Sequence, residues 1–121
     1  MKNDLVYLVW KNNKENKKYI VAKLYKKDEK YYFEYISENL IEAKANGFNL
    51  LIPFPSEEKV YTNSRLFATF SSRLPDKRRP DIDKILKTYQ MKNYNEFELL
   101  KRSGAKLPTD NFEFIMPNKI S

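Results

Sequence analysis

Leu5 to Ile36, LVYLVWKNNKENKKYIVAKLYKKDEKYYFEYI, is the stretch whose reading decides the fold. Leu5-Val6-Tyr7-Leu8-Val9-Trp10 is an unbroken aliphatic and aromatic run, which predicts a buried strand. Lys11-Asn12-Asn13-Lys14-Glu15-Asn16 is polar and reads as a loop. Tyr19 to Lys26 predicts a second strand, in which Ile20, Ala22 and Leu24 alternate with Val21, Lys23 and Tyr25. Lys26-Lys27-Asp28-Glu29-Lys30 turns the chain. Tyr31 to Ile36 then predicts a third strand with Tyr31, Phe33 and Tyr35 on one face. Strands joined by short polar turns make an antiparallel meander.

Beyond Ile36 the period changes twice. Ser37 or Asn39 is placed to cap a short helix carrying Leu40, Ile41 and Ala45, which Asn46-Gly47 ends. Phe48 to Ile52 predicts a fourth strand, stopped by Pro53-Phe54-Pro55. From Asn63 or Ser64 as cap, Leu66, Phe67 and Phe70 fall at helical spacing, and Arg73-Leu74-Pro75-Asp76 breaks that helix. Pro80 suits the first turn of a further helix, along which Ile82, Ile85, Leu86 and Tyr89 repeat at i, i+3, i+4, i+7. Asn93 or Asn95 caps a last helix with Phe97, Leu99 and Leu100, closed by Gly104. Phe112, Phe114 and Met116 alternate with Glu113 and Ile115 in a closing strand. The expected fold is therefore α+β: a mainly antiparallel sheet of about five strands with three to four short helices packed on it, as a single domain over residues 1–121.

Composition bounds the chemistry. Hydrophobic residues make up 41% of the 121, and nine Tyr and eight Phe supply the large rings that a core needs. There is no Cys and no His. Thiolate or imidazole zinc sites and Cys- or His-dependent nucleophile systems are thereby excluded, and no disulfide can form. Only two glycines occur, which argues against a glycine-rich phosphate loop. Met1-Lys2-Asn3-Asp4 leads into an apolar run too short for a signal segment or membrane span, so a cytoplasmic protein is expected, with no membrane association. The abundance of Lys and Asn fits an AT-rich bacterial or phage genome. No catalytic residue, metal or cofactor is assigned.

The formal net charge of +7 invites an anionic partner. Arg73, Lys77, Arg78, Arg79, Lys84 and Lys87 concentrate it in one segment. Such a segment is either a patch for phosphates or acidic protein, or a solvated face whose charges pair with Asp76, Asp81 and Asp83. The three Asp residues also have the oxygen chemistry of a Mg²⁺ site, but they lie at a helix start, where carboxylates stabilise the dipole. Tyr19, Tyr25, Tyr31, Tyr32, Phe33 and Tyr35, interleaved with lysines, offer base-stacking surfaces wherever they are not core. Trp10, at the end of an apolar strand, reads as core. The Pro53-Phe54-Pro55 segment and the stretch to Tyr61 read as an exposed contact strip, with Phe54 and Tyr61 as its rings.

Tyr7-Leu8-Val9-Trp10, Leu50-Leu51-Ile52-Pro53, Leu66-Phe67, Phe70, Arg73-Leu74-Pro75-Asp76, Ile82, Tyr89, Phe97-Glu98-Leu99-Leu100 and Gly104 occur in an order that resembles the N-terminal subdomain of HipA-type serine/threonine kinases. The Leu-Pro-Asp to Phe-Glu-Leu-Leu block is also similar to the segment ahead of HIRAN domains in Gram-positive bacterial proteins. The sequence departs from the kinases after Gly104, where Ala105-Lys106-Leu107-Pro108-Thr109-Asp110 lacks a second glycine and no ATP-binding or catalytic loop follows. The resemblance implies a non-catalytic protein-binding module, in the manner of the standalone HipS-type antitoxin that binds a HipA-like kinase. The residues leave two other readings open: a phage or mobile-element inhibitor of a nucleic-acid-targeting defence enzyme of the anti-CRISPR type, and a DNA- or RNA-binding accessory domain.

Overall fold

Three hairpin-linked strands come first: β1 (Leu5–Lys11), β2 (Lys18–Lys27) and β3 (Lys30–Tyr35). The structure is a computed structural model that describes residues 4–117. Met1-Lys2-Asn3, part of the lead-in read above, lies outside them. The β2–β3 turn is a two-residue hairpin in which Asp28 and Glu29 both take positive φ, the backbone that matches the twist of the flanking strands. Between β1 and β2, Asn12 is buried. Its Oδ1 accepts from the Lys14 and Glu15 amides, and its Nδ2 donates to the Asn46 carbonyl.

The alternation expected in β2 is broken by a bulge. Leu8 pairs with Ala22 and Val9 with Ile20, so Val21 is the extra residue. The phase of the pleat reverses there. Tyr19 and Val21 are buried on one side of it and Ala22 and Leu24 on the other, while Ile20 stays only partly covered.

The larger correction concerns the fourth strand. Phe48 to Ile52 forms no strand, because its backbone groups are satisfied elsewhere. The Phe48 amide donates to Ala43 O, the Leu51 amide to the Tyr35 hydroxyl, and the Phe54 amide closes a turn onto Leu51 O. The place beside β3 is taken instead by β4 (Tyr61–Asn63). β5 (Phe112–Ile115) pairs antiparallel with β1, giving the sheet order β4-β3-β2-β1-β5. The class is α+β as expected, with five strands among the described residues.

The helices are short: α1 (Ser37–Ala45), α2 (Ala68–Ser71), α3 (Ile82–Thr88) and α4 (Glu96–Ser103). Asn95 caps α4 as expected, its side chain accepting from the Glu98 amide, and Gly104 ends it at φ +80°. The other caps differ from expectation. Asn39 donates to Ile20 O rather than capping α1, and neither Asn63 nor Ser64 caps α2, whose start falls at Phe67. Pro80 lies in the turn before α3, which begins two residues later.

α1, α2 and α4 cover one sheet face. Leu40, Ala43, Phe70, Phe97 and Leu100 close over Val6, Leu8, Leu24 and Phe33. Tyr35 ties the loop after α1 to that core. Its buried hydroxyl donates to Phe54 O at 2.7 Å and accepts from the Leu51 amide at 2.9 Å. Burial pushes the phenol up to about 12, against the opposing hydrogen bond from Leu51. Tyr35→Phe leaves the Leu51 amide unpaired and should cost roughly 1–3 kcal/mol in urea unfolding. A raised phenol pKa contributes stability that is complete below the unfolded value near 10 and is lost as pH climbs towards about 12. The difference in stability between wild type and Tyr35→Phe should therefore shrink over that interval.

Candidate partner-binding surface

The basic segment divides by role once its side chains are placed. Arg73 leaves α2 with a side chain only 10% exposed and is fully engaged. Its Nε donates to Ala105 O, its Nη1 and Nη2 to the two carboxylate oxygens of Asp110 at 2.7 and 3.0 Å, and Nη2 also to Phe112 O. This guanidinium is a clasp between the α2 end and the entry to β5. Its assignment to a partner surface is corrected accordingly. The Asp110 carboxyl is held below its usual range, first by the Arg73 hydrogen bonds.

Arg78 and Arg79 do lie on the surface, each paired with an acid two residues away. Arg78 forks onto Asp76, and Arg79 forks onto Asp81. The hydrogen bonds from Arg78 hold the Asp76 carboxyl at about 2, and those from Arg79 lower Asp81. These pairs are open to water and contribute little to stability. They occupy two of the three carboxylates considered above for Mg²⁺, and Asp83 sits in the first turn of α3. Among the described residues no cluster of His, Cys, Asp or Glu is arranged to hold a metal. Lys77, Lys84 and Lys87 are exposed.

Phe54 is not the exposed ring expected between its prolines. It is 3% exposed, stacked on Phe33 at 4.2 Å and on Phe70 at 5.7 Å, with Tyr61 and Phe67 edge-on to it. The prolines point out and the ring turns in, because a core aromatic is worth more than an exposed one. Tyr61 is half-buried beside it. Its hydroxyl accepts from the Ser56 amide, and the Lys59 ammonium lies over its ring. What the segment does expose is Ile52, at 94%, on the turn that the Tyr35 hydroxyl pins. Three aliphatic residues in a row ending on a proline cannot all alternate into one core, and that was the available signal.

The aromatic residues of the meander split by face. Tyr19, Phe33 and Tyr35 are core, with Tyr31 packed against them. Tyr25 and Tyr32 lie on the opposite face, together with Leu5, Tyr7 and Ile115. They stack on one another at 5.1 Å, and the Tyr25 hydroxyl donates to the Glu34 carboxylate. Rings already stacked, with a carboxylate beside them, make a poor platform for a polyanion.

Two grooves flank the Leu74-Pro75 ridge. One, about 910 Å³, runs past Tyr31, Asp76, Lys77, Arg78, Tyr94 and Glu96, and Tyr94 donates to Pro75 O. The other, about 680 Å³, lies between α3 and α4. Neither encloses a nucleophile–base pair; both are open surfaces suited to contact.

Compared with known families, the chain matches the HipA N-terminal domain over residues 15–108, from the β1–β2 loop through α4. No curated protein and no solved structure matches it.

Asp110→Asn should cost roughly 1.5–3 kcal/mol by weakening charge-assisted hydrogen bonds to Arg73. A carboxyl lowered in the folded state contributes stability that is complete above its unfolded value, near pH 4, and is lost as pH falls through the lowered one. Thermal unfolding followed from pH 6 to pH 2 should show a shallower acid decline in Asp110→Asn than in wild type.

Proposed function

Because the chain belongs to the HipA N-terminal domain family, we propose that it is a non-catalytic docking module for a HipA-like serine/threonine kinase core, acting as an antitoxin that holds the kinase inactive. The observation that carries this reading is the match to the HipA N-terminal domain across 94 of the 121 residues.

The site chemistry supports it. Catalysis of phosphoryl transfer needs backbone cradles for phosphates and free carboxylates for Mg²⁺. Both glycines here are spent on ending helices, Gly47 after α1 at φ +107° and Gly104 after α4 at φ +80°. Asp76 and Asp81 are clamped by arginines. What remains is surface: a partly buried second sheet face, a pinned turn presenting Ile52, and the grooves beside Leu74-Pro75. A module of this kind acts by the area it covers, and its affinity depends on a few well-seated side chains rather than on total charge.

The test is binding and inhibition. The purified chain, titrated into the HipA-like kinase core encoded in the same genome, should form a complex of micromolar affinity or tighter and suppress autophosphorylation. Binding should persist from low to high salt, whereas phosphate-driven attachment to nucleic acid falls steeply over the same range. Absence of a complex at micromolar concentrations would overturn the reading.

A further inference from the structure

We propose that the groove between α3 and α4 receives an amphipathic acidic segment of a protein partner, a short stretch in which Asp or Glu neighbours Leu, Ile or Phe. Its floor is apolar, built by Leu74, Ile85, Tyr89 and Leu107. Its charged lining is of one sign: Arg79 and Lys106 stand on its rim, the clasped Arg73 lies behind them, and no carboxylate lines it. The neighbouring groove mixes Lys77 and Arg78 with Asp76 and Glu96. The cleft beside the β2–β3 turn mixes Lys26, Lys27 and Lys101 with Asp4, Asp28, Glu29 and Glu98. Only the α3–α4 groove among these combines an apolar floor with a charged lining that holds no carboxylate, the acids that pair with its cations lying outside it.

The two rim cations are available. Arg79 and Asp81 are both about half exposed, and Lys106 reaches Glu113 only at 3.8 Å while remaining 68% exposed. Such pairs are weak and exchange readily for an incoming carboxylate. Lys84 and Lys87 on the exposed side of α3 extend the positive field that steers an acidic segment.

The groove is also pre-formed. α3 ends in a closed motif in which the Met91 amide donates to Leu86 O and the Gln90 amide to Lys87 O, with Gln90 at φ +59°. Arg102 of α4 then donates to both Tyr89 O and Gln90 O, fixing one wall to the other. A site that needs no ordering on binding keeps more of its contact energy as affinity. The floor favours protein over nucleic acid, since it offers four apolar side chains and a single ring for stacking.

The inference rests on the docking-module reading and adds the surface and the chemistry of what it grips. A random peptide library displayed on phage, selected against the purified chain, should enrich sequences that pair acidic with large apolar residues. Selected peptides, titrated by fluorescence polarisation, should bind at least tenfold more weakly to Ile85→Asp and to the Arg79→Glu/Lys106→Glu double variant. The double variant changes exposed residues alone and guards against a folding defect, which circular dichroism checks. Enrichment of neutral or basic sequences, no enrichment, or equal binding to wild type and the double variant overturns the proposal. So does tighter binding of a 20-nucleotide RNA or DNA through the same residues. Titration of the kinase core separates the two readings. A core that binds wild type and both variants alike removes the groove and leaves the docking module. Acidic peptides bound at the groove with no kinase binding leave the groove and remove the docking module.

Discussion

The packing of Phe54 against Phe33 and Phe70, three rings in mutual contact, is the interaction on which the rest of this structure depends. Among the described residues no helix exceeds nine residues, and helices of that length are not stable by propensity alone. Between α1 and β4 the chain runs through 15 residues with neither helix nor strand, and its backbone cannot be held by a ladder. Aromatic packing supplies what regular structure does not. Phe54 anchors that irregular stretch to β3, Phe70 brings α2 onto the same ring, and Phe114 meets Phe70 edge-on at 5.0 Å. One continuous run of rings thus joins β3, the irregular stretch, α2 and β5.

The same contact explains which parts of the structure were legible in the sequence. Strands β1, β2, β3 and β5 declare themselves by composition and alternation, and α4 by Asn95 at one end and Gly104 at the other. The bulge at Val21 left no trace, because Val and Ala are equally apolar and either phase of the alternation reads well. Phe48-Asn49-Leu50-Leu51-Ile52 has strand composition, yet a hydroxyl sixteen residues back in sequence takes its backbone donor. No local pattern carries that information. Phe54 was misread for a related reason: prolines on both sides mark a rigid surface strip but say nothing about which way the ring between them turns.

For the candidate surface, charge was the visible signal, and it overstated the case. Arg73 is spent on Asp110 and two carbonyls, while Arg78 and Arg79 are each balanced by an acid two positions away. Raw counts of lysine and arginine do not reveal such pairing, which depends on the local turn. The distinguishing property of the α3–α4 groove is the absence of a carboxylate from its walls, and that emerges only when Lys106, Arg79 and Leu74 are brought together from three separate places in the chain. Family membership then adds what geometry alone does not, a link to HipA-like kinase systems.

The position of β5 bears on how the protein comes into being. It pairs Phe112 with Trp10 and Phe114 with Leu8, joining residues a hundred positions apart. During synthesis β1 must wait, with one side of its ladder open, until nearly all of this sequence has left the ribosome. An unpaired apolar strand is a template for stray association, and distant pairing of this kind slows closure. The nascent chain thus passes through an interval of vulnerability whose length is set by translation speed, and a partner or chaperone present during that interval would govern how much of it reaches the folded state.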